Sequence, residues 1–266
     1  MYFKSFVFSL VIFGKRFGIL KKDSYLYSLK DKYKGKRLFI VATGPSLTID
    51  DLEKLNDFNE ISISVNSIFK LLNKTKWKPT YYVMDDLYLI DRYSKQGFDG
   101  NYCAIPKEKC LFSYSIRHFL SIENQRVSCF FNMNYLDHWY TCYSKRFKYN
   151  RDFSEGVYDF YTVTNTAILL ADYMGAKEIY LIGVDNNFGT VGDYHAGEII
   201  DDIENHKKQA IAMKKTENCQ RIGFEKLNSL IRKDVSIFNA TRGGNLEVFP
   251  RVCFDDLFEK KLKVKL

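Results

Sequence analysis

The sequence predicts an α/β fold: a Rossmann-like, mostly parallel sheet with helices on both faces and an aromatic-rich insertion that forms a lid. Two observations support this prediction. Short apolar runs typical of buried strands alternate with amphipathic helical segments along the chain, and such alternation favours a parallel sheet covered by helices. Polar turns directly follow the predicted strands, at the place where doubly wound sheets bind ligands.

The predicted elements begin after the charged stretch KDKYKGKR. The predicted strands cover residues 38–42, 61–65, 81–84, 179–184 and 235–238. The predicted helices cover residues 49–55, 68–72 and 207–230, with a further one in TVTNTAILLADYMGAK. Thr48 and Asp51 fit a capping box at the start of the first helix. Gly175 is placed to end the helix of TVTNTAILLADYMGAK in the left-handed conformation.

One segment departs from this alternation. Residues 87–160 are rich in Tyr, Phe and Trp and carry only scattered strand-like runs, such as residues 127–131. We interpret the segment as an insertion that covers the functional edge of the sheet. Most of its rings are expected to form a small core, and a few could stack on a sugar or a base. Residues 25–266 then form one nucleotide-binding catalytic domain, preceded by an aromatic and basic segment, residues 1–24.

The apolar run at residues 5–14 is too short to span a bilayer, which takes about 20 residues. One interpretation is an anchor at the membrane surface. The side chains expected on apolar surface are then Phe3, Phe6, Phe8, Leu10, Val11, Phe13 and Phe17. The side chains expected at headgroups are Lys4, Lys15 and Arg16. The other interpretation is a helix packed on the domain or on a second subunit.

The formal net charge of +8 favours acidic partners, namely nucleic acid, anionic lipid or phosphorylated small molecules. The sequence carries no recognisable zinc-finger, RNA-recognition or helix-turn-helix signature, so nucleic acid is not a predicted partner. The six cysteines form no CxxC pair. This spacing predicts neither a zinc site nor a disulfide framework and favours a reducing cytoplasm.

The turn ATGPSL after the first strand supplies the first candidate ligand-binding residues. Thr43 and Ser46 offer hydroxyls on either side of Gly44 and Pro45, and the glycine lets the backbone approach a ligand closely. The N–H groups of the turn could face an anion at the start of the next helix. Because the turn lacks GxGxxG and the P-loop lysine, neither a standard dinucleotide site nor a Walker ATPase is predicted. Asn66 follows the second strand and is expected beside this turn.

Three aspartates also follow strands. Asp85 and Asp86 come after the third strand, and Asp185 comes after the strand at 179–184. Carboxylates so placed could bind Mg²⁺ or Mn²⁺ bridging a nucleotide diphosphate, or could hydrogen-bond a ribose or an acceptor hydroxyl. The alternative is that one member of the Asp85–Asp86 pair caps the next helix and the other is solvated.

A transferase that deprotonates an acceptor hydroxyl needs a base with a pKa of about 7, which histidine approximates. His195 lies in GDYHAGE, and His206 lies at the start of the long predicted helix. Either could instead be a surface histidine. Arg242, in NATRGG after the last strand, suits a phosphate or carboxylate clamp because its guanidinium binds such groups bidentately. The alternative for NATRGG is a surface turn.

Three stretches together, FIVATGPSL, VTNTAILLADYMGAKEIYLIGVD and IFNATRGGNLEVFPRVCFDDLF, resemble a bacterial surface-polysaccharide family. That family shares a domain with the archaeal 6-hydroxymethyl-dihydropterin pyrophosphokinases. The first two stretches also resemble the bacterial sialyltransferases that use CMP-sialic acid to decorate lipooligosaccharide. This second resemblance implies a nucleotide site formed by Thr43, Gly44, Ser46 and Asn66. It implies a donor-holding turn at Thr164 and Asn165, His195 or His206 as the base, and Tyr194 as a candidate to assist the departing phosphate.

We therefore predict a cytoplasmic glycosyltransferase, peripheral to the inner face of the cell membrane and with no firmly predicted cofactor. It would move a sugar, such as a CMP-activated sialic acid or another nonulosonate, from a nucleotide donor to a glycan or lipid-linked acceptor of lipooligosaccharide or capsule. Homo-oligomerisation is left open. One alternative is a pterin pyrophosphokinase in which Asp85, Asp86 and Asp185 hold Mg²⁺ with ATP. The other is a non-catalytic, membrane-associated assembly module.

Overall fold

The computed structural model describes residues 2–87, 89–91, 105–131, 133–134, 151–187 and 203–262. The strands are β1 (Arg37–Val41), β2 (Ser62–Val65), β3 (Tyr81–Met84), β4 (Cys110–Ser113), β5 (Cys129–Phe131), β6 (Met133–Asn134), β7 (Val157–Tyr158), β8 (Glu178–Ile182) and β9 (Ser236–Asn239). The α-helices are α1 (Tyr2–Arg16), α2 (Ser24–Ser28), α3 (Ile49–Asp57), α4 (Ile122–Val127), α5 (Val163–Tyr173), α6 (Ile203–Leu230) and α7 (Asp256–Leu262). Short 3₁₀ helices cover Asn66–Leu71, Lys107–Lys109 and Tyr114–Phe119.

Seven of these strands form one sheet in the order β5-β4-β3-β2-β1-β8-β9, and β6 pairs with β7 in a separate ladder. Every described strand pair of the large sheet is parallel. Phe39 of β1, for example, pairs with Ser62 on one side and with Tyr180 on the other. The parallel α/β fold predicted from the alternating pattern is therefore confirmed.

Alternate residues of the strands face two separate hydrophobic cores, as the two-residue period of a strand requires. Leu38 and Ile40 belong to the core that includes residues of α5 and α6. Phe39 and Val41 belong to the core that includes residues of α3 and α7. Helices therefore cover both faces of the sheet, as predicted. Strands that are buried on both faces are apolar along nearly their whole length.

Helix α5 is the central helix of one face, with all eleven residues buried. Thr162 caps its first turn, because its side chain accepts a hydrogen bond from the Thr164 N–H. Gly175 follows the helix with φ +86°, so its predicted left-handed conformation is confirmed. A Cβ at Gly175 would also lie 2.9 Å from the Cα of Lys34, so only glycine lets this turn pack on the approach to β1.

The expected insertion at residues 87–160 is partly wrong. β4 and β5 lie in this segment and continue the large sheet, since Leu111 pairs with both Val83 and Cys129. Phe112 and Phe131 are completely buried and belong to the two main cores. The described residues 110–131 are therefore part of the sheet rather than a cover over it. Residues 92–104 and 135–150 lie outside the described residues, so a lid there remains a prediction.

Lys15 and Arg16, the last two residues of α1, bind groups of the fold. The Lys15 Nζ donates to the Ser154 carbonyl oxygen at 3.2 Å, and the Arg16 Nε pairs with the Glu155 carboxylate at 3.2 Å. Burial lowers the pKa of Lys15, against the attraction of nearby carboxylates. These contacts give the buried Glu155 carboxylate a cationic partner inside the fold, and headgroup contact by Lys15 or Arg16 stays a prediction.

The strand order reverses between β1 and β8. From β1 the chain adds β2 to β5 on one side, and it then returns to place β8 and β9 on the other. The connections leaving β1 and β8 therefore run to opposite sides, and in doubly wound sheets such a reversal places a crevice at the carboxyl ends of the two strands. Ligands of doubly wound sheets bind at this position.

Candidate functional site

The turn after β1 and the turn after β8 are bonded to each other directly. The Gly44 N–H donates to the Gly183 carbonyl oxygen at 2.8 Å, and the Ala42 N–H donates to the Ile182 carbonyl oxygen at 3.0 Å. Gly183 has φ +65°, and a Cβ there would lie 2.7 Å from the Ala42 carbonyl oxygen. The parallel ladder between the two strands thus extends into both turns and holds them together.

Asp185 joins three loops at this edge. Its Oδ2 accepts a hydrogen bond from the Ser46 Oγ at 2.8 Å, and its backbone oxygen accepts one from the Asn245 N–H at 2.7 Å. The side chain is buried, which raises the pKa of Asp185, while the Ser46 hydroxyl and N–H oppose the rise. Asp185 therefore ties the NATRGG loop to the ATGPSL turn.

Asp185 lies so close to positions 44 and 244 that only glycine fits at either of them. A Cβ at Gly44 would lie 2.0 Å from the Asp185 Oδ2 and 2.5 Å from the Gly183 carbonyl oxygen. A Cβ at Gly244, which has φ +77°, would lie 2.1 Å from the Asp185 backbone oxygen. The close approach predicted at Gly44 is thus made by atoms of the protein itself.

The N–H groups of ATGPSL were expected to face an anion, and this expectation is wrong for the turn. The Gly44 N–H is bonded to Gly183, the Leu47 N–H donates to the Gly44 carbonyl oxygen at 3.1 Å, and the Ser46 N–H is 3.4 Å from the Asp185 Oδ2. Pro45 is exposed and has no N–H. Thr48 and Asp51 form the predicted capping box of α3, which uses the Thr48 and Asp51 N–H groups as well.

Two asparagines flank this turn in the same unusual conformation. Asn66 follows β2 with φ +49°, and Asn186 follows β8 with φ +47°. The side-chain oxygen of each is buried and has no hydrogen-bond partner among the described residues. An unpaired buried oxygen costs about 1–3 kcal/mol, so a missing donor is expected at each. Unpaired atoms occur elsewhere in the described core; these two follow the strands on either side of β1.

Asp85 and Asp159 form a second polar group near the start of α5. The Thr166 Oγ1 donates to the Asp85 Oδ2 at 2.7 Å. Burial raises the pKa of Asp85 to about 7, with a smaller rise from the charge of Asp86. Burial and the charge of Asp85 also hold the pKa of Asp159 well above its ordinary value. Asp86 accepts from the Leu89 N–H at 2.9 Å, as the helix-capping alternative predicted, but Asp85 is buried rather than solvated as that alternative required.

Thr164 and Asn165, the predicted donor-holding residues, lie in the first turn of α5 and are buried. The Asn165 Nδ2 donates to the Phe160 carbonyl oxygen at 2.8 Å, whereas its Oδ1 is a further buried oxygen without a partner. The neighbouring Thr166 links this helix start to Asp85 and hence to the end of β3.

The structure does not bring Asp85, Asp86 and Asp185 together. Asp85 follows β3 and Asp185 follows β8, three positions apart in the sheet, which corresponds to about 14 Å. A Mg²⁺ ion needs its oxygen ligands at about 2.1 Å. The three carboxylates therefore cannot share one ion, and no group of three metal-ligating side chains occurs within the described ranges.

Arg242 holds two carboxylates of the protein rather than a ligand. Its Nη2 lies 2.7 Å from the Asp51 Oδ1 and 2.8 Å from the Asp255 Oδ1, and its Nε and Nη1 contact the same two carboxylates. The carboxylates hold the pKa of Arg242 above its ordinary value. The expected phosphate clamp is corrected to a tie between α3 and the chain before α7, because the polar edges of the guanidinium are already occupied.

Replacing Arg242 with alanine should lower the free energy of unfolding by about 2 kcal/mol, because it leaves the buried Asp51 carboxylate without its cation. Chemical denaturation measures the change. The matched control is Arg221→Ala, which removes an exposed pair with Glu225 and should cost less than about 1 kcal/mol. Equal losses in the two variants would contradict the role assigned to Arg242.

The predicted catalytic side chains lie beyond the described part of the chain. His195 and Tyr194 fall in residues 188–202, which the structure does not describe. The backbone of His206 lies in α6, three residues after its start, but its side chain is not described. All three remain predictions.

Sequence reasoning singled out Asn186 as one of the polar residues after the strand at 179–184, but it missed Gly183, Asp159 and Thr166. Gly183 lies near the end of the same predicted strand, in GVDN, so its position was a usable signal. Asp159 and Thr166 had no such signal, because their proximity to the end of β3 depends on how α5 packs on the sheet.

A parallel sheet with helices on both faces and a reversal of strand order defines the class of doubly wound α/β domains. Within that class, the chain belongs to the family described as 6-hydroxymethylpterin diphosphokinase MptE-like, whose model matches residues 15–190. The resemblance to that domain inferred from the three sequence stretches is thereby confirmed. Among curated protein sequences, none matches this chain.

Solved structures align with this chain at low sequence identity. The MAf glycosyltransferase of Magnetospirillum magneticum AMB-1 is 16% identical, with a TM-score of 0.51 over 88% of this chain. This chain corresponds to 38% of the length of that protein. Two structures of the sialyltransferase CstII from Campylobacter jejuni, one with cytidine-5'-monophosphate, are 14% identical with TM-scores of 0.35. They cover 82% of this chain and 85% or 86% of CstII.

Proposed function

We propose that the protein is a glycosyltransferase that moves a sugar from a nucleotide donor, with a CMP-activated sialic acid or another nonulosonate favoured, to a bacterial cell-surface glycan. The observation that carries the proposal is the reversal of strand order between β1 and β8, together with two buried asparagine oxygens that have no partner among the described residues and that follow the strands flanking β1. Sequence resemblance of the ATGPSL and VTNTAILL stretches to CMP-sialic acid dependent enzymes supports the choice of donor.

The groups at the crevice suit a nucleoside better than a phosphate. The N–H groups of Gly44, Ser46 and Leu47 are used inside the protein, whereas Asn66 and Asn186 each offer a buried acceptor oxygen. Ribose hydroxyls and the amino group of cytosine are donors that complement such oxygens. The nucleoside end of the donor is therefore assigned to this crevice.

In the proposed reaction, the acceptor hydroxyl gives its proton to the imidazole of His195 or His206. The acceptor oxygen then forms a bond to the anomeric carbon of the sugar, and the bond from that carbon to the nucleotide phosphate breaks. The nucleotide leaves with the electrons of the broken bond, and Tyr194 is assigned to its phosphate. The acceptor is a glycan or lipid-linked saccharide of lipooligosaccharide or capsule.

The family description favours one second candidate, a Mg²⁺-dependent diphosphokinase acting on a pterin. Its magnesium site would need a different set of ligands from the predicted one, because Asp185 lies three strand positions from Asp85. The buried Asp85 carboxyl, hydrogen-bonded to Thr166, also has a raised pKa, and a carboxyl must lose its proton to bind a metal.

Thermal shifts with CMP, CDP, UDP, GDP and ATP, each with and without Mg²⁺, separate these functions. Stabilisation by CMP without Mg²⁺ is the expected result, since a ligand that binds only the folded state raises Tm. Stabilisation by ATP only with Mg²⁺ would overturn the proposal in favour of the diphosphokinase. No shift with any nucleotide would favour a non-catalytic assembly module.

Replacing Asn66 with glycine should weaken nucleotide binding about tenfold, the loss expected for one hydrogen bond of about 1.4 kcal/mol. Glycine tolerates the φ of +49°, so the variant removes the amide without adding backbone strain. Calorimetric titration with the nucleotide found in the panel measures the change. Asn59→Gly is the matched control, because Asn59 has the same φ but follows α3. Unchanged affinity in Asn66→Gly would remove Asn66 from the site.

A further inference from the structure

Helix α1 and the turn after it expose a continuous set of apolar side chains, which we call the N-terminal stripe. Its members are Val7, Leu10, Phe13, Phe17, Ile19 and Leu20, each between 42% and 71% exposed. Successive helical residues are rotated by about 100°, so the stripe residues at 7, 10, 13 and 17 fall within about one third of the circumference. Ile12, on the opposite side, is buried.

The outward direction of the stripe is set by ion pairs on the inner side. Lys22 Nζ lies 2.7 Å from the Asp152 carboxylate and 2.9 Å from the Glu155 carboxylate. Arg16 pairs with the same Glu155, and Lys15 binds the Ser154 carbonyl oxygen. The basic side chains at the end of the helix therefore point into the fold while the apolar ones point away from it. Basic side chains ordinarily keep their charged ends in water and cover apolar surface with their stems, so the orientation at this helix end is reversed.

The turn after α1 is also folded rather than extended. The Leu20 N–H donates to the Gly14 carbonyl oxygen at 2.9 Å, and a Cβ at Gly14 would lie 2.8 Å from Leu20 Cδ1. Gly18 has φ +72°, and the rings of Phe13 and Phe17 are 4.5 Å apart. These contacts gather the aromatic and aliphatic side chains of the stripe on one surface.

We propose that the N-terminal stripe inserts into the interfacial region of an anionic lipid bilayer. Residues 1–22 contain no acidic residue, and Lys21 beside the stripe is exposed, whereas Lys15, Arg16 and Lys22 bind groups of the fold. The exposed Lys21 and the formal net charge of +8 complement anionic headgroups. None of the described helices is long and apolar enough to cross a bilayer, so the contact is made from one side. The stripe is separate from the crevice and does not depend on the proposed function.

Charge also favours lipid over a second copy of the chain. A two-fold symmetric contact would set residues 1–22 against the same segment of another molecule. That segment contains no acidic residue to pair with the exposed Lys21 of the other copy, whereas an anionic bilayer supplies opposite charge over the whole surface.

The test is co-sedimentation of the full chain with vesicles of phosphatidylcholine alone and of an equimolar mixture of phosphatidylcholine and phosphatidylglycerol. The wild type should bind the mixed vesicles more tightly. The double variant Phe17→Ser/Ile19→Ser should reduce that binding by at least about tenfold, because two exposed apolar side chains no longer enter the interface. The matched control, Ile122→Ser/Ile211→Ser, removes two equally exposed residues outside the stripe and should bind as the wild type does.

Circular dichroism and Tm verify that each variant folds. If the double variant does not fold, the single variant Phe17→Ser replaces it in the co-sedimentation experiment. Absence of vesicle binding, or equal binding by the stripe variant and the wild type, would overturn the proposal. A wild-type dimer in light scattering that the stripe variant converts to monomer, without vesicle binding, would assign the stripe to a second copy. Thermal shifts with the nucleotides, measured on the same variants, test the proposed nucleotide site separately. A negative result in that experiment does not change the interpretation of vesicle binding.

Discussion

Replacing Gly44 with alanine is expected to lower the free energy of unfolding by about 3 kcal/mol, the upper end for overpacking a filled site. The added Cβ would lie 2.5 Å from the Gly183 carbonyl oxygen, which belongs to the backbone, as well as 2.0 Å from the Asp185 Oδ2. Either the β1 turn or the β8 turn must move. For a chain of this size the loss corresponds to a Tm lowered by roughly 6–12 °C. Differential scanning calorimetry measures it.

Gly243→Ala is the control for this substitution. Gly243 lies in the same group of loops, but a Cβ there would be 3.9 Å from both Asp185 and Ser46, an ordinary contact. Its free energy of unfolding should change by less than about 1 kcal/mol. If both alanine variants melt at the same temperature, the close packing of Gly44 against Asp185 is not what constrains the turn.

Replacing Asp85 with asparagine should make the protein more stable at neutral and alkaline pH and change little in acid. The pKa of Asp85 is raised from about 3.9 in an unfolded chain to about 7 in the fold. The folded state therefore binds more protons between these values, so the wild type loses stability as pH rises through that range. Asparagine keeps an oxygen for the Thr166 hydroxyl and carries no charge.

The measurement is urea denaturation of both proteins at several pH values. The advantage of Asp85→Asn should grow by on the order of 3 kcal/mol between about pH 5 and about pH 8. Asp159 also has a raised pKa, so part of the pH dependence remains in the variant. Asp57→Asn, which alters an exposed aspartate, should show a constant difference from wild type. A constant difference for Asp85→Asn as well would show that its carboxyl is not buried as described.

Much of the fold was predictable because its signals are local. Strand β3 has the predicted bounds, and α3 and α6 begin within a few residues of their predicted starts. Gly175 and the Thr48–Asp51 capping box depend only on neighbouring residues, and both predictions are confirmed. Strands β4 and β5 were harder to predict because their apolar runs are short and lie in an aromatic-rich segment.

The candidate site was predictable in outline but not in the roles of its residues. The rule that ligands bind beyond the carboxyl ends of parallel strands located Ser46, Asn66 and Asp185 in the region of one edge. It did not show that Asp185 would bond to Ser46, or that Arg242 would be held by Asp51 and Asp255. Each of these partners is more than ten residues away in sequence, so no local pattern records the contact.

The sequence by itself determined the parallel α/β class, the positions of most strands, and the polar turns at the edge of the sheet. Periodicity and turn chemistry act over a few residues, and they can be read without the rest of the molecule. Only the tertiary structure decided that the single glycine of ATGPSL makes room for Asp185, that the amides of this turn are already bonded, and that Asn66 and Asn186 keep unpaired oxygens. These facts depend on which distant groups the reversal between β1 and β8 brings into contact.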